Sequence, residues 1–139
     1  MPDTLKNYPG YALRRAASAM MTEFSARLAP LDLRFADVSA MILIDTNAGL
    51  TASQLGRMLD IQRANMVPLL NRIESAGLIA RTPIDGKSHS LGLTAAGKSK
   101  LAEALAVIDT FENWLLAKVP AEHRDHLKPA LDALWLGED

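Results

Sequence analysis

Apolar positions recur at helical spacing along most of the chain. Leu13, Ala17, Met20, Phe24 and Leu28 fall on one face of a helix over about residues 11–28. Pro30 ends it, because the residue before a proline avoids the helical region. Val38, Met41, Ile42 and Ile44 define a second helix over about 35–46, with Asn47 and Gly49 suited to its C-terminal end. A third helix opens at Thr51. In the segment TASQ the Thr51 hydroxyl accepts from the third helical N–H while Gln54 reaches back, a capping box. Leu55, Met58 and Leu59 are its expected buried side. Asp60 and Ile61 form a short turn, and Gln62 starts a fourth helix with Met66, Leu69, Leu70 and Ile73 inward and Gly77 closing it. Two short helices joined by so few residues cannot lie antiparallel, so they cross steeply as a helix-turn-helix.

After Gly77 the period changes from that of a helix to that of strands. LIARTP and SHSLGL read as a hairpin flanking the turn residues Asp85 and Gly86. Thr94, in LTAAG, caps a long fifth helix. Its apolar residues Leu101, Ala104, Leu105, Ile108, Phe111 and Leu115 are joined by Val107 and Trp114, a stripe too wide for a helix buried on one side only. Val119-Pro120 marks a break, with the proline at a favourable first-turn position. A last helix carries Leu127, Leu131, Leu134 and Trp135 and is interrupted by Pro129. The expected fold is mainly α with a small β-hairpin wing: a winged helix-turn-helix lobe over 35–97, inside a single subunit 1–139 whose segments 1–34 and 98–139 form a helical dimerisation region.

Composition narrows the function. With 49% apolar and 22% charged residues among 139, the chain is an ordinary globular domain. It has no cysteine, which excludes disulfides, a thiol nucleophile and a thiolate zinc site. No apolar run is long enough for a membrane span, and MPDTLKNYPGYALRR lacks the apolar core of a secretory signal, so the reading is a cytoplasmic protein. The net charge of −1 hides an uneven distribution. Residues 50–100 hold Arg57, Arg63, Arg72, Arg81, Lys87, Lys98 and Lys100 against Asp60, Glu74 and Asp85, whereas residues 101–139 are acidic. A basic middle beside an acidic tail points to local contact with a polyanion.

With Met66, Leu69, Leu70 and Ile73 inward, the fourth helix presents Ala64, Pro68 and Asn71, flanked by Asn65, Val67 and Arg72, with Gln62 and Arg63 at its tip. Such a helix fits the major groove of B-DNA, where Asn and Gln pair with adenine and Arg with guanine. Ala64, Val67 and Pro68 suit contact with thymine methyl groups. A face this weakly charged relies on phosphates for affinity. The expected DNA contacts are Thr51, Gln62, Arg63, Asn65, Pro68 and Arg72, with Arg81, Lys87, Ser88 and His89 from the wing, whose basic tip suits the minor groove or the backbone.

The segments LTASQLGRMLDI, NRIESAGLIAR, the wing aspartate Asp85 and LGLTAAG, all within residues 49–97, resemble the winged-helix core of the MarR (multiple antibiotic resistance regulator) family. The resemblance implies a homodimeric regulator of transcription, most simply a repressor, bound to a pseudo-palindromic double-stranded operator. Dimerisation is implied through the first, fifth and sixth helices. The family carries arginine two residues after the wing aspartate; here that position is Lys87, which keeps the charge and loses the planar fork. The resemblance also implies a small-molecule effector, such as an aromatic carboxylate or a phenolic compound, held between the dimer helices and the DNA-binding lobes. Tyr11, Arg14, Arg15, Met20, Phe24 and Met41 are the candidates: the arginines would meet a carboxylate and the methionines line an adaptable pocket. The plainer reading of Met20, Phe24 and Met41 is core.

No cofactor is expected. His123 and His126 lack a third metal ligand at convincing spacing. An enzyme is disfavoured, since no phosphate loop or nucleophile elbow is present. The remaining alternative is a winged helix used for protein–protein contact without DNA.

Overall fold

The computed structural model describes residues 1–137. After a short 3-10 turn, Thr4–Asn7, the chain forms α1 (Pro9–Leu28), α2 (Phe35–Thr46), α3 (Ala52–Leu59) and α4 (Arg63–Ser75). The wing strands β1 (Ile79–Pro83) and β2 (His89–Leu93), α5 (Ala95–Lys118) and α6 (Arg124–Trp135) follow. Pro9 opens α1 at a position where no helical N–H is required. Thr51 caps α3 as its sequence predicts: its hydroxyl accepts from the Gln54 amide at 3.2 Å and the Gln54 side chain accepts from the Thr51 amide at 3.0 Å.

Two apolar clusters organise the protomer. One is the interior of the lobe, with Ala40, Ile44, Leu55, Met66, Leu70, Ile73 and the strand residues Ile79 and Leu91. The other joins α1, α2 and α5 through Phe24, Leu28, Val38, Met41, Leu101 and Phe111. Helix α2 contributes to both, so it is the shared wall. Phe24 meets Phe111 edge-on at 4.8 Å and Phe35 at 5.6 Å between ring centroids.

Glycine allows close approach at two places, and at the second it is required. A Cβ on Gly56 would lie 3.2 Å from the Ile61 carbonyl and from Met66, so α3 and α4 cross tightly there. A Cβ on Gly97 would lie 1.9 Å from the Leu78 carbonyl oxygen, so the start of α5 rests directly on the root of the wing. That root is closed by hydrogen bonds. The Thr94 hydroxyl donates to the Gly77 carbonyl at 2.6 Å and accepts from the Gly97 amide at 2.9 Å, while the Thr94 amide donates to the Leu78 carbonyl at 3.0 Å.

Several expectations change. Met58 is 51% exposed: it stands at the edge of the buried side of α3, on an open groove beside Asn47 and Leu50. Helices α4 and α6 run unbroken through Pro68 and Pro129; each ring costs a backbone hydrogen bond without ending its helix. Pro120 precedes a 3-10 turn, Ala121–His123, rather than sitting in the first turn of α6. The Asp85-Gly86 turn is wider than a two-residue hairpin. Pro83 pairs with His89, and the Ile84 amide donates to the Ser88 carbonyl at 2.9 Å. No helix among the described residues is long and apolar enough to cross a membrane.

Candidate nucleic-acid interface

The turn between α3 and α4 holds Asp60 in a left-handed conformation, φ 54°, which reverses the chain within three residues and brings the start of α4 out beside the N-terminal end of α3. On the other side the lobe is extended by the wing: Thr51 forms an antiparallel bridge with Ser90, and the Leu91 amide donates to the Leu50 carbonyl at 2.7 Å. These contacts enclose an open cleft of about 700 Å³ between α3, α4 and the wing. Thr51, Gln62, Arg63, Arg81, Lys87, Ser88 and His89 all line it, although they come from four separate stretches of sequence. Asn65 and Pro68 lie on the exposed side of α4 beside the cleft.

The cleft is basic. Arg57, Arg63, Arg81 and Lys87 face Asp60 as its acidic member. Gln62 gives α4 no side-chain cap, and the amides of Asn65 and Met66 both turn to the Gln62 carbonyl. The N–H groups of Arg63 and Ala64 therefore have no helical acceptor, an arrangement that favours an anion. At the wing, the Asp85 carboxylate accepts from the backbone amides of Lys87 at 3.1 Å and Ser88 at 3.0 Å. Those two amide bonds hold the Asp85 carboxyl below the usual carboxylate range. They also fix the loop that carries Lys87.

Arg72 has a different task from the one its sequence position suggests. Its guanidinium engages Asp37, with Nε 3.1 Å from Oδ1 and a second, shorter contact from Nη2. Asp37 is only 2% exposed, and its other oxygen accepts from the Arg34 amide at 2.8 Å. Arg72 thus ties α4 to the start of α2, because a buried carboxylate needs a partner more than the surface needs another cation. Arg81 is shared as well, at 3.1 Å from Glu74. Arg57, Ser53 and Asn71 also line the cleft but were absent from the expected contact set. Helical rotation from Thr51 brings Arg57 to the side of α3 opposite Leu55, which is the signal that would have found it.

The expected effector residues do not converge in the protomer. Met41 and Phe24 are buried in the core shared by α1, α2 and α5, and Met20 packs against it. Met41 is fully buried. Arg14 and Arg15 are exposed, and Arg15 donates to the Tyr11 hydroxyl at 2.8 Å, on the half of α1 that projects beyond the core.

No protein-family profile matches the chain. Structure comparison is decisive. The transcriptional repressor CouR, solved on a 23-mer DNA duplex, superposes with a TM-score of 0.88 at 34% identity over 94% of each chain. A MarR family protein of Mycobacterium tuberculosis, solved in complex with DNA, superposes with a TM-score of 0.76 at 26% identity over 92% of this chain and 98% of that one. This chain belongs to the MarR family. In sequence, a curated HTH-type transcriptional repressor of Mycobacterium tuberculosis is 29% identical over 127 residues, 90% of this chain and 91% of the repressor. The MarR lobe described above therefore extends over the elements that form the cleft, and α1, α5 and α6 complete the same architecture.

Proposed function

We propose that the protein is a homodimeric repressor of transcription. It places α4 in the major groove of a pseudo-palindromic operator and the wing against the adjacent backbone. Arg63, Lys87 and the free N–H groups at the start of α4 hold phosphates; Gln62, Asn65 and Asn71 face base edges; Thr51, Ser88 and His89 complete the walls. One observation carries this reading: the exposed basic cleft assembled from α3, α4 and the wing, in a chain similar to a repressor solved on duplex DNA. Residues 35–97 act as the DNA-binding lobe, and 1–34 with 98–139 as the dimerisation region. The role is regulatory rather than enzymatic, and the setting is the cytoplasm.

The test is a gel shift with DNA from the protein's own promoter region across a salt series. Arg63→Ala and Lys87→Ala are each expected to weaken binding on every sequence and to lower the salt slope by about 1. No retardation at low salt would instead support a protein–protein module.

The effector we propose is an aromatic acid or its coenzyme A thioester. CouR has been solved with p-coumaroyl-CoA, at a TM-score of 0.89 and 31% identity over 99% of each chain, and the Mycobacterium tuberculosis relative with salicylic acid. The exposed pair Arg14 and Arg15, beside Tyr11, supplies cations for carboxylate or phosphate. Salicylate and p-coumaroyl-CoA, added separately to the protein–DNA complex, decide between the two forms. If neither releases DNA or raises the melting temperature, the effector proposal fails.

A further inference from the structure

Between Arg63 and Arg72, α4 carries no charged side chain. Met66, Leu69 and Leu70 are buried, which leaves Ala64, Asn65, Val67, Pro68 and Asn71 exposed. Val67 is 53% exposed and lines the cleft with Gln62, Arg63 and Asn71. Its neighbour Pro68 lacks an N–H, and a proline inside a helix is the least favourable residue for that position. Ala64, Val67 and Pro68 stand three and four residues apart, so they share one side of α4. The result is a short apolar strip, free of long side chains, that runs along the exposed side of α4 and enters the basic cleft at Val67. It lets the helix backbone approach a partner closely. Among the groups that base pairs present in the major groove, the C5 methyl of thymine is the apolar one.

We propose that the strip Ala64–Val67–Pro68 reads thymine methyl groups, with Asn65 and Asn71 at its margins taking adenine edges. Adjacent A·T pairs then lie opposite the middle of α4 in each half-site. This inference rests on the DNA-binding reading. Phosphate contacts give the complex its affinity, and the apolar strip gives it a preference among sequences.

The experiment starts from duplexes selected by the full-length protein from a randomised pool of about 24 bp, long enough for two half-sites about 10 bp apart. Thymines in the selected half-sites are then replaced one at a time by deoxyuridine, which removes only the methyl group. The expected loss is about fourfold in affinity for each contacted methyl, the equivalent of one buried methylene. Val67→Ser is expected to abolish most of that loss at its contacted thymine while leaving the melting temperature unchanged, since the side chain stands at the surface. The inference is overturned if uridine is tolerated at every position, if G·C pairs are selected opposite α4, or if Val67→Ser keeps the full penalty. A wild-type protein that enriches no duplex at all overturns the DNA-binding reading itself, and this inference with it; a protein that enriches uridine-tolerant duplexes overturns this inference alone.

Discussion

The DNA-binding lobe and the terminal helices solve the burial problem differently. The lobe is complete within one chain. Its interior draws on α2, α3, α4 and both strands, and its one buried charge, Asp37, has both oxygens occupied. The terminal helices are not complete. Helix α6 has no buried residue, and Leu134 and Trp135 are 69% and 73% exposed. Only Phe24 and Leu28, in the last turns of α1, are buried, while Leu5, Tyr8 and Leu13 stand in solvent. Exposed apolar groups of this size on helices are candidates for a surface that another protein covers. The lobe thus buries its own apolar face, whereas the terminal helices leave theirs for the second copy that we propose covers them.

Four changes test that contrast, from the largest expected effect to the smallest. Gly97→Ala forces a Cβ into the Leu78 backbone, where neither side can yield cheaply. We expect a loss of about 3 kcal/mol or more, read as a fall in melting temperature. An unchanged melting temperature would mean that the wing root is looser than described. At the other end, Leu131→Glu with Trp135→Glu should split the dimer while sparing the lobe. Light scattering should report the mass of a single chain, and circular dichroism should retain most of the helical signal. A dimer that survives both charges would place its interface elsewhere.

Arg72→Ala comes next. It leaves Asp37 buried without its cation, and because the arginine is itself partly exposed, the expected cost is about 1–3 kcal/mol in urea unfolding. If Arg72 instead served DNA alone, stability would not change and only affinity would fall. The smallest effect is at the wing tip. The folded Asp85 carboxyl is held below its ordinary value, so its contribution is fully present above that ordinary value and is lost as pH falls through the depressed one. The Lys87 and Ser88 amide resonances should follow that titration. A midpoint in the usual carboxylate range would show that the turn is not held by Asp85.

Much of this architecture was legible in the chain, and the reasons are local. The capping box at Thr51, the stop at Gly77 with φ 78°, and the cap at Thr94 are signals carried by single residues, so the element borders follow from them. What the sequence concealed depends on tertiary partners. Arg72 looks like any exposed cation on a recognition helix until Asp37, 35 residues away, is found beneath it. Met41 and Phe24 sit in the core with α5, the plainer of the two readings that their helical spacing offers. Arg57 reaches the cleft only through the fold, since the wing and the start of α4 come from other stretches of the chain.

The contact between Gly97 and Leu78 has a mechanical consequence. The wing cannot pivot at its own base, because the first turn of α5 is pressed against it and Thr94 fastens both. Helix α5 is 24 residues long, about 36 Å at 1.5 Å per residue, and its second half carries the partly buried Trp114 and Leu115. The hairpin and that rod therefore move as one lever. A tilt of a few degrees at the far end of α5 would carry the wing tip sideways with it.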